Sequence, residues 1–168
     1  MMAGQWGDHF IGIIYGKPQA MQRHRCARNG RAYLPEVTRK ALKKIEVYVK
    51  EKLTEHKQKA IPAGVPVCVN LLFIHKKPAK LPDSYKKTWT QKKWKSTTYR
   101  IQKTTKPDID NLIKLVLDGC TKGGMWYDDS QIVQVFAYDF YAGAQDEECT
   151  IFRVSIEEEH MPKKKTGI

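Results

Sequence analysis

The sequence predicts a single α/β (α+β) domain with a mixed β-sheet, two main helices and a C-terminal β-hairpin. Three observations support this fold class. The chain has 168 residues, the length of one typical domain. Short alternating apolar runs predict strands, and two longer runs with helical spacing predict helices. The elements follow in the order strand, short strand, helix, strand, helix, strand, strand, as expected for helices layered on one sheet.

The first half of the chain supplies two strands and the longer helix. Residues 9–15 (HFIGIIY) predict a strand, and residues 32–34 predict a second, short one. Pro35 suits the start of a helix. Over residues 36–59, apolar side chains recur at helical spacing, so we expect a long amphipathic helix there. Its apolar stripe consists of Val37, Ala41, Leu42, Ile45, Val49 and Leu53.

The second half predicts three strands, a long loop and the second helix. Residues 65–74 are apolar at alternating and intervening positions, which predicts a strand covered on both faces. Residues 76–106 have no clean period and predict a long, mobile basic loop. Helical spacing over 108–121, followed by two glycines, predicts the second helix. The strands at 131–141 and 149–156 lie close in sequence, so we expect an antiparallel hairpin.

Composition and the chain ends exclude several classes of protein. The longest apolar stretches, 10–15 and 65–74, are far shorter than the ~20 residues that span a bilayer. Residues 1–8 lack a signal-peptide pattern, which predicts a cytoplasmic protein. None of the four cysteines has C-x-x-C spacing, so we expect reduced thiols rather than zinc or a disulfide framework. We expect one domain over residues 1–168, with residues 157–168 a candidate for disorder.

The charge is strongly basic and unevenly placed. The net charge of +12 indicates a polyanionic partner, although a merely basic soluble protein also fits. Residues 17–31 carry five basic and no acidic side chains, and residues 76–106 carry eleven basic and one acidic. Residues 107–130 reverse the sign, with five aspartates and two lysines. This map predicts DNA-binding arms around metal-binding carboxylates. The candidate DNA contacts are Lys17, Arg23, Arg25, Arg28, Arg31, Lys86, Lys87, Lys92, Lys93, Lys95, Arg100 and Lys103.

The acidic segment contains the string KPDIDNLIK, which ends at Lys114. Asp108 suits a helix N-cap, where its carboxylate accepts a backbone amide. Asp110 and Lys114 are four residues apart and share a helical face. Asp128 and Asp129 open the following strand. We expect the chain to run back along the sheet so that these two aspartates approach Asp108.

Three carboxylates of this kind suit Mg²⁺ or Mn²⁺, hard ions that prefer oxygen ligands. The ion would polarise a scissile phosphate and activate a water molecule. Lys114 would stabilise the charge that develops on the phosphate or the leaving oxygen. Each aspartate alone is also explained as a cap or turn residue. The set as a whole, with its lysine and its basic flanks, favours a nuclease.

These strings resemble the RusA-like Holliday junction resolvases. The resemblance is carried by KPDIDNLIK at 106–114, LD at 117–118 and WYDDSQIV at 126–133, and more weakly by segments at 16–25 and 89–95. It implies a homodimeric, Mg²⁺-dependent endonuclease, with Mn²⁺ as a substitute, of a kind often carried by phages or prophages. Such an enzyme cuts four-way junctions or related branched DNA by paired nicks. The resemblance implies metal ligands at Asp108, Asp110 and Asp129, with Asp128 a further candidate, and an essential lysine at Lys114.

The long basic loop departs from compact members of that family. It leaves three substrates open: a four-way junction, a flap or another branch. Trp89, Trp94 and Tyr99 in or near this loop are candidates to stack on an unpaired base. Anchoring of the loop to its own domain explains these aromatic residues at least equally well. A non-catalytic, basic nucleic-acid-binding protein is the alternative function.

Overall fold

A computed structural model describes residues 9–28 and 30–156, so the tail expected to be disordered lies outside the described residues. The strands are β1 (His9–Tyr15), β2 (Arg25–Cys26), β3 (Ala32–Tyr33), β4 (Val67–His75), β5 (Ile101–Gln102), β6 (Ile132–Tyr141) and β7 (Cys149–Ile156). The helices are α1 (Glu36–Glu55), α2 (Gln91–Ser96) and α3 (Ile109–Gly123). Within this part of the chain, no helix is long and apolar enough to cross a bilayer. The four cysteines form no disulfide.

The main sheet has five strands in the order β1-β7-β4-β6-β5. β4 pairs in parallel with β6 and antiparallel with β7. The mixed sheet with its helices confirms the predicted fold class, but the C-terminal hairpin is wrong. β6 and β7 lie on opposite sides of β4 and do not pair with each other.

The reason lies in the composition of β4 and in the length of the last connection. β4 is the most continuously apolar strand, so it takes the central position, where both of its edges are paired. Residues 142–148 supply seven residues between β6 and β7. Seven residues easily span two strand spacings of roughly 4.8 Å each. Proximity in sequence therefore did not decide the pairing.

Both long helices cover the same face of the sheet. Side chains from alternate positions of the central strands are buried beneath them, including Leu71, Phe73 and Phe152. Two glycines let α3 approach α1 closely, because a Cβ at Gly119 would lie 2.7 Å from Ile45 and one at Gly123 would lie 2.6 Å from Val49. α3 is thereby fixed on the sheet, with its N-terminus beside the end of β6.

The opposite face of the sheet is covered only in part by the described residues, because Cys68 and Ile74 of β4 are buried there; the prediction of a β4 strand covered on both faces therefore holds for part of its length. Asn70, on this face of β4, is exposed. One row of side chains crosses four strands in register: Ile13, Ile151, Leu72 and Tyr138. Tyr138 is 57% exposed and Ile13 is 37% exposed. This surface, called here the outer sheet face, is apolar and open.

Residues 76–100, called here the insert, join β4 to β5. The sequence predicts a loop over this region, but the segment contains α2 and a short 3-10 turn at Asp83–Tyr85. It also has a small core of its own. That core consists of Leu81, Tyr85, Trp94, Ile101 and Tyr141. The predicted mobility of the segment stays a prediction.

Candidate active site

The N-terminus of α3 presents two unengaged carboxylates. Asp108 occupies the N-cap position, and its backbone oxygen accepts the amide of Leu112 at 3.3 Å. Its side chain makes no capping hydrogen bond, contrary to the sequence expectation. Asp110 is exposed in the first turn, and its carboxylate accepts only a 3.3 Å hydrogen bond from Asn111. Oxygen atoms on both side chains are thus available to a ligand.

Lys114 follows on the same helical face. Asp110, Lys114 and Asp118 recur every four residues, so they form one line along α3. Residues 17–31, called here the basic loop, lie against this line, because the Met21 amide donates to the Asn111 carbonyl at 2.8 Å. Lys114 and Asp118 therefore share a groove with residues 21–24 of that loop.

Asp118 differs from the other carboxylates of the site because it is partly buried. Burial raises its pKa above the usual range, while Lys114 and Lys122 act in the opposite direction. The negative charge of Asp129 adds to the upward shift. Asp118 and Asp129 are therefore electrostatic neighbours near the C-terminal half of α3.

The paired aspartates after α3 have unequal roles. Asp128 caps a 3-10 turn at Asp129–Gln131, and its carboxylate accepts the Ser130 amide at 2.9 Å. That hydrogen bonding holds the pKa of Asp128 below its usual range. Gln131 completes the capping box by accepting the Asp128 amide. Asp129 is exposed and makes no hydrogen bond or ion pair within the described residues. Of the two, Asp129 has the carboxylate that is free for a ligand.

The structure does not bring Asp129 to Asp108. Asp129 acts on the pKa of Asp118, which lies ten residues after Asp108 along α3, about 15 Å at 1.5 Å per residue. The strand that runs back along the sheet carries Asp139, not Asp129, to the N-terminus of α3, where the Lys103 amide donates to the Asp139 carbonyl. Among the described residues, no group of three or more His, Cys, Asp or Glu side chains is placed to hold a metal ion.

The pair at the N-terminus of α3 nevertheless suits Mg²⁺. This ion is commonly held by one or two carboxylates, with water and substrate phosphate completing its octahedron. Asp108 and Asp110 supply two such groups, and the uncapped state of the Asp108 carboxylate leaves its oxygens free for the ion. The donor set is therefore compatible with a magnesium site that is completed by the substrate.

The predicted DNA contacts fall into two groups. The five basic residues at positions 17–31 are exposed, as are Lys87, Lys92 and Lys95 in the insert. Others are engaged within the chain. Lys86 pairs with Asp83, Lys93 lies 4.9 Å from the Trp89 ring, Arg100 pairs with Asp146 and Lys103 is buried. The burial of Lys103 corrects its prediction as a DNA contact.

The three candidate stacking residues also separate. Trp94 is fully buried, and its indole donates to the Pro78 carbonyl at 2.7 Å, so it anchors the insert. Trp89 is half-buried and packs edge-on against Trp94. Tyr99 is 60% exposed. Only Trp89 and Tyr99 keep surface that an unpaired base could contact.

Sequence reasoning assigned no role to two acidic residues of this region. The place of Asp118 beside the site was predictable from the sequence, because Asp118 continues the four-residue spacing of Asp110 and Lys114. Asp139 carried no such signal, since it interrupts an aromatic strand and its partners come from distant segments. These partners, Lys103 and His75, lie 36 and 64 positions away in the chain.

Comparison with known proteins places these features in a family. The family model described as "Endodeoxyribonuclease RusA" matches residues 15–151. The chain is also 31% identical over 143 residues to a Bacillus subtilis (strain 168) protein, "Uncharacterized protein YqaN". That alignment covers 84% of this chain and 94% of the relative. The matched span includes the whole of α3 and both groups of aspartates.

Proposed function

This chain belongs to the RusA endodeoxyribonuclease family, whose members resolve Holliday junctions, and from that premise we propose that it is a Mg²⁺-dependent nuclease of branched DNA. Its substrates would be four-way junctions and related branches, cut by hydrolysis of phosphodiester bonds. The observation that carries the proposal is the pair of carboxylates, Asp108 and Asp110, which form no ion pair among the described residues and lie beside Lys114 at the start of α3. A pure DNA-binding protein gains nothing from carboxylates near phosphates.

In the proposed mechanism, Asp108 and Asp110 hold the ion and Lys114 faces the phosphate. When bound, Mg²⁺ supplies a Lewis acid for the phosphate oxygen and lowers the pKa of the attacking water. Lys114, one turn after Asp110, offsets the negative charge that develops on the phosphate or the leaving oxygen. Asp129 is proposed as the third acidic ligand, and Asp128 as the cap that fixes its backbone. Mn²⁺ would serve as a substitute ion.

Exposed cations flank this site and would hold the DNA arms. The basic loop beside α3 carries Arg23, Arg25 and Arg28, all exposed. The exposed lysines of the insert, Lys87, Lys92 and Lys95, add further positive charge to the molecule. Contacts of this type bind phosphates without reading sequence. They suit a substrate that is defined by its branch rather than by its bases.

We propose a homodimer that buries the outer sheet face against a second copy. Phe136 and Tyr138 are 52% and 57% exposed on this face, and Ile11 is 55% exposed. Arg153 is the single charged side chain that its described strands place there. A second copy of a chain with net charge +12 meets least repulsion at such a face. A two-fold dimer would present two sites to the two strands that paired nicks require.

The nuclease proposal is tested on synthetic four-way junctions, flaps and plain duplex, with and without Mg²⁺. We expect branched DNA to be cut only with the ion, and Asp108→Asn to abolish cutting while binding survives. Asp83→Asn is a matched control, because it removes an exposed carboxylate from the insert. Binding without cleavage under any divalent metal would favour the non-catalytic alternative. Light scattering tests the dimer, and Phe136→Asp should yield monomers.

A further inference from the structure

Three ionisable side chains are buried together beside the start of α3. The Lys103 ammonium donates a hydrogen bond to Oδ2 of Asp139 at 3.0 Å, whereas Nε2 of His75 lies 3.0 Å from the other oxygen, Oδ1, without a hydrogen bond between them. The side chains of Lys103, Asp139 and His75 are 2%, 7% and 5% exposed. Buried charges of this kind persist only when they are paired and hydrogen-bonded. The cluster therefore has a specific arrangement to maintain.

Lys103 uses all of its hydrogen-bonding capacity inside the chain. Besides Asp139, its ammonium donates to the carbonyls of Thr105 and Pro107, at 2.6 and 2.9 Å. An ammonium has three N–H donors, and these three acceptors match them. No donor remains for a DNA phosphate, although the side chain belongs to the most basic segment of the sequence.

The two carbonyls belong to the segment that delivers Asp108. Pro107 directly precedes Asp108, and neighbouring bonds hold the same stretch. The Tyr85 hydroxyl accepts the Thr104 amide at 2.7 Å, and the Thr105 and Tyr141 hydroxyls lie 2.6 Å apart. The Asp108 carboxylate makes no cap bond to fix it locally. Its place is consequently set by the backbone on which Lys103 acts.

We propose that Lys103 is a positioning residue for the metal site: its ammonium, balanced by Asp139, fixes the backbone before Asp108 in the geometry that binds Mg²⁺. This inference rests on the proposed function. Lys103 lies in the most basic segment of the sequence, yet its ammonium donates hydrogen bonds to groups of the chain itself rather than to DNA. It also gives Asp139 the role of counter-charge rather than of metal ligand, because both of its oxygens face buried partners.

The test compares Lys103→Met with Lys77→Met. Lys77 is a matched control, because its ammonium also donates to two carbonyls, those of Trp94 and Thr97, but within the insert. Two measurements need no turnover: Mn²⁺ titration by calorimetry without DNA, and hydrogen exchange of the amides from 104 to 112. For Lys103→Met we expect metal affinity to fall about 10- to 100-fold, as for other residues that orient metal ligands. Exchange over that segment should accelerate.

Lys77→Met should leave the metal affinity and the hydrogen exchange of residues 104–112 at wild-type values, even if the Tm of this variant is lower. Junction binding in EDTA should stay within about twofold for Lys103→Met, since no phosphate contact is lost. If Lys103→Met fails to fold, Asp139→Asn replaces it. That variant keeps the two carbonyl bonds and should shift metal affinity in the same direction by less.

Several results would overturn the inference. One is a folded Lys103→Met or Asp139→Asn protein with wild-type metal affinity and exchange. Another is a Lys103→Met protein that loses junction binding in EDTA but keeps its metal affinity, which would make Lys103 a phosphate contact. Failure of the proposed function looks different. In that case the wild-type protein would not cut branched DNA with Mg²⁺, whatever the exchange data show.

Discussion

The insert is basic and the segment that contains α3 is acidic, and the two regions differ in how the chain engages their charges. In the insert and at its exit, several cations are engaged by the chain itself: Lys77 by carbonyls, Arg100 by Asp146, and Lys103 by a buried cluster. At α3, the carboxylate of Asp108 is left without a partner among the described residues. Net charge alone would rank the insert as the functional centre. The state of each charged group instead favours α3.

The largest expected effect separates the two ends of α3. Asp108→Asn should abolish both cleavage and DNA-free Mn²⁺ binding, because it removes a ligand. Asp129→Asn should abolish cleavage but lower DNA-free Mn²⁺ affinity less than Asp108→Asn does, because among the described residues Asp129 is not grouped with Asp108 and Asp110 before substrate binds. Calorimetry and the junction assay measure the two properties. Equal loss of metal binding in both variants would mean that the two ends form one site.

Lys114 provides the next test. Lys114→Ala should lower the cleavage rate at saturating DNA by about 10²- to 10³-fold, as expected for a group that stabilises developing charge. Junction affinity should change much less. Single-turnover rates and binding isotherms give the two values. Should affinity fall as far as the rate, Lys114 would be a phosphate clamp instead.

The two tryptophans of the insert should differ in stability. Trp94 is fully buried, so Trp94→Ala should lower the free energy of unfolding by about 3–5 kcal/mol. Trp89→Ala should cost less, because Trp89 is only half-buried. Urea denaturation followed by circular dichroism measures both. A similar loss in the two variants would show that the small core does not depend on Trp94.

Exposed and engaged lysines of the insert should differ in their effect on DNA binding. Lys92 and Lys95 are exposed, and their side chains form no hydrogen bond or ion pair within the described residues. If they bind phosphates, the double alanine variant should reduce the slope of log affinity against log salt by about two, one for each lysine. The Lys77→Met control should leave the slope unchanged. Junction titrations at four or five salt concentrations are sufficient.

The smallest effect concerns Asp118, whose pKa is raised mainly by burial. A raised pKa means that the folded state favours the protonated form. Its contribution to stability is therefore present at low pH and is lost as the pH rises through the folded pKa. Asp118→Asn should match the wild-type Tm at low pH and exceed it at neutral pH. A difference that instead grows toward low pH would contradict this assignment.

Periodic features of the sequence were predictable, and contacts between distant segments were not. Alternation located β1 and β7 at their observed bounds, and helical spacing located α1 and α3 to within a few residues. The strand order could not be predicted in this way, because the pattern within each strand does not show which strands become its neighbours in the sheet. The core of the insert joins Trp94 to Tyr141 across 47 positions, so its aromatic residues have no period to read.

The candidate site divides in the same way. Asp108, Asp110 and Lys114 form a local string, and the structure keeps them on one stretch of α3. The separation of Asp129 follows from the path of the chain, which a list of motif residues does not contain. Lys103 was read as one more surface lysine, because its burial depends on β6 carrying Asp139 to its side.

The entry and exit of the insert have a consequence for how this protein can change. The chain leaves the sheet at His75 and returns at Ile101, and both residues are paired with Tyr141. The insert therefore begins and ends beside the same residue of β6, Tyr141. Because its ends are fixed together, its length can vary at a low cost in loop entropy, provided that Tyr85 and Trp94 keep their contacts with the sheet. Exchange of the exposed residues within 76–100, with Tyr85 and Trp94 retained, would test whether the insert sets the DNA preference while α3 stays unaltered.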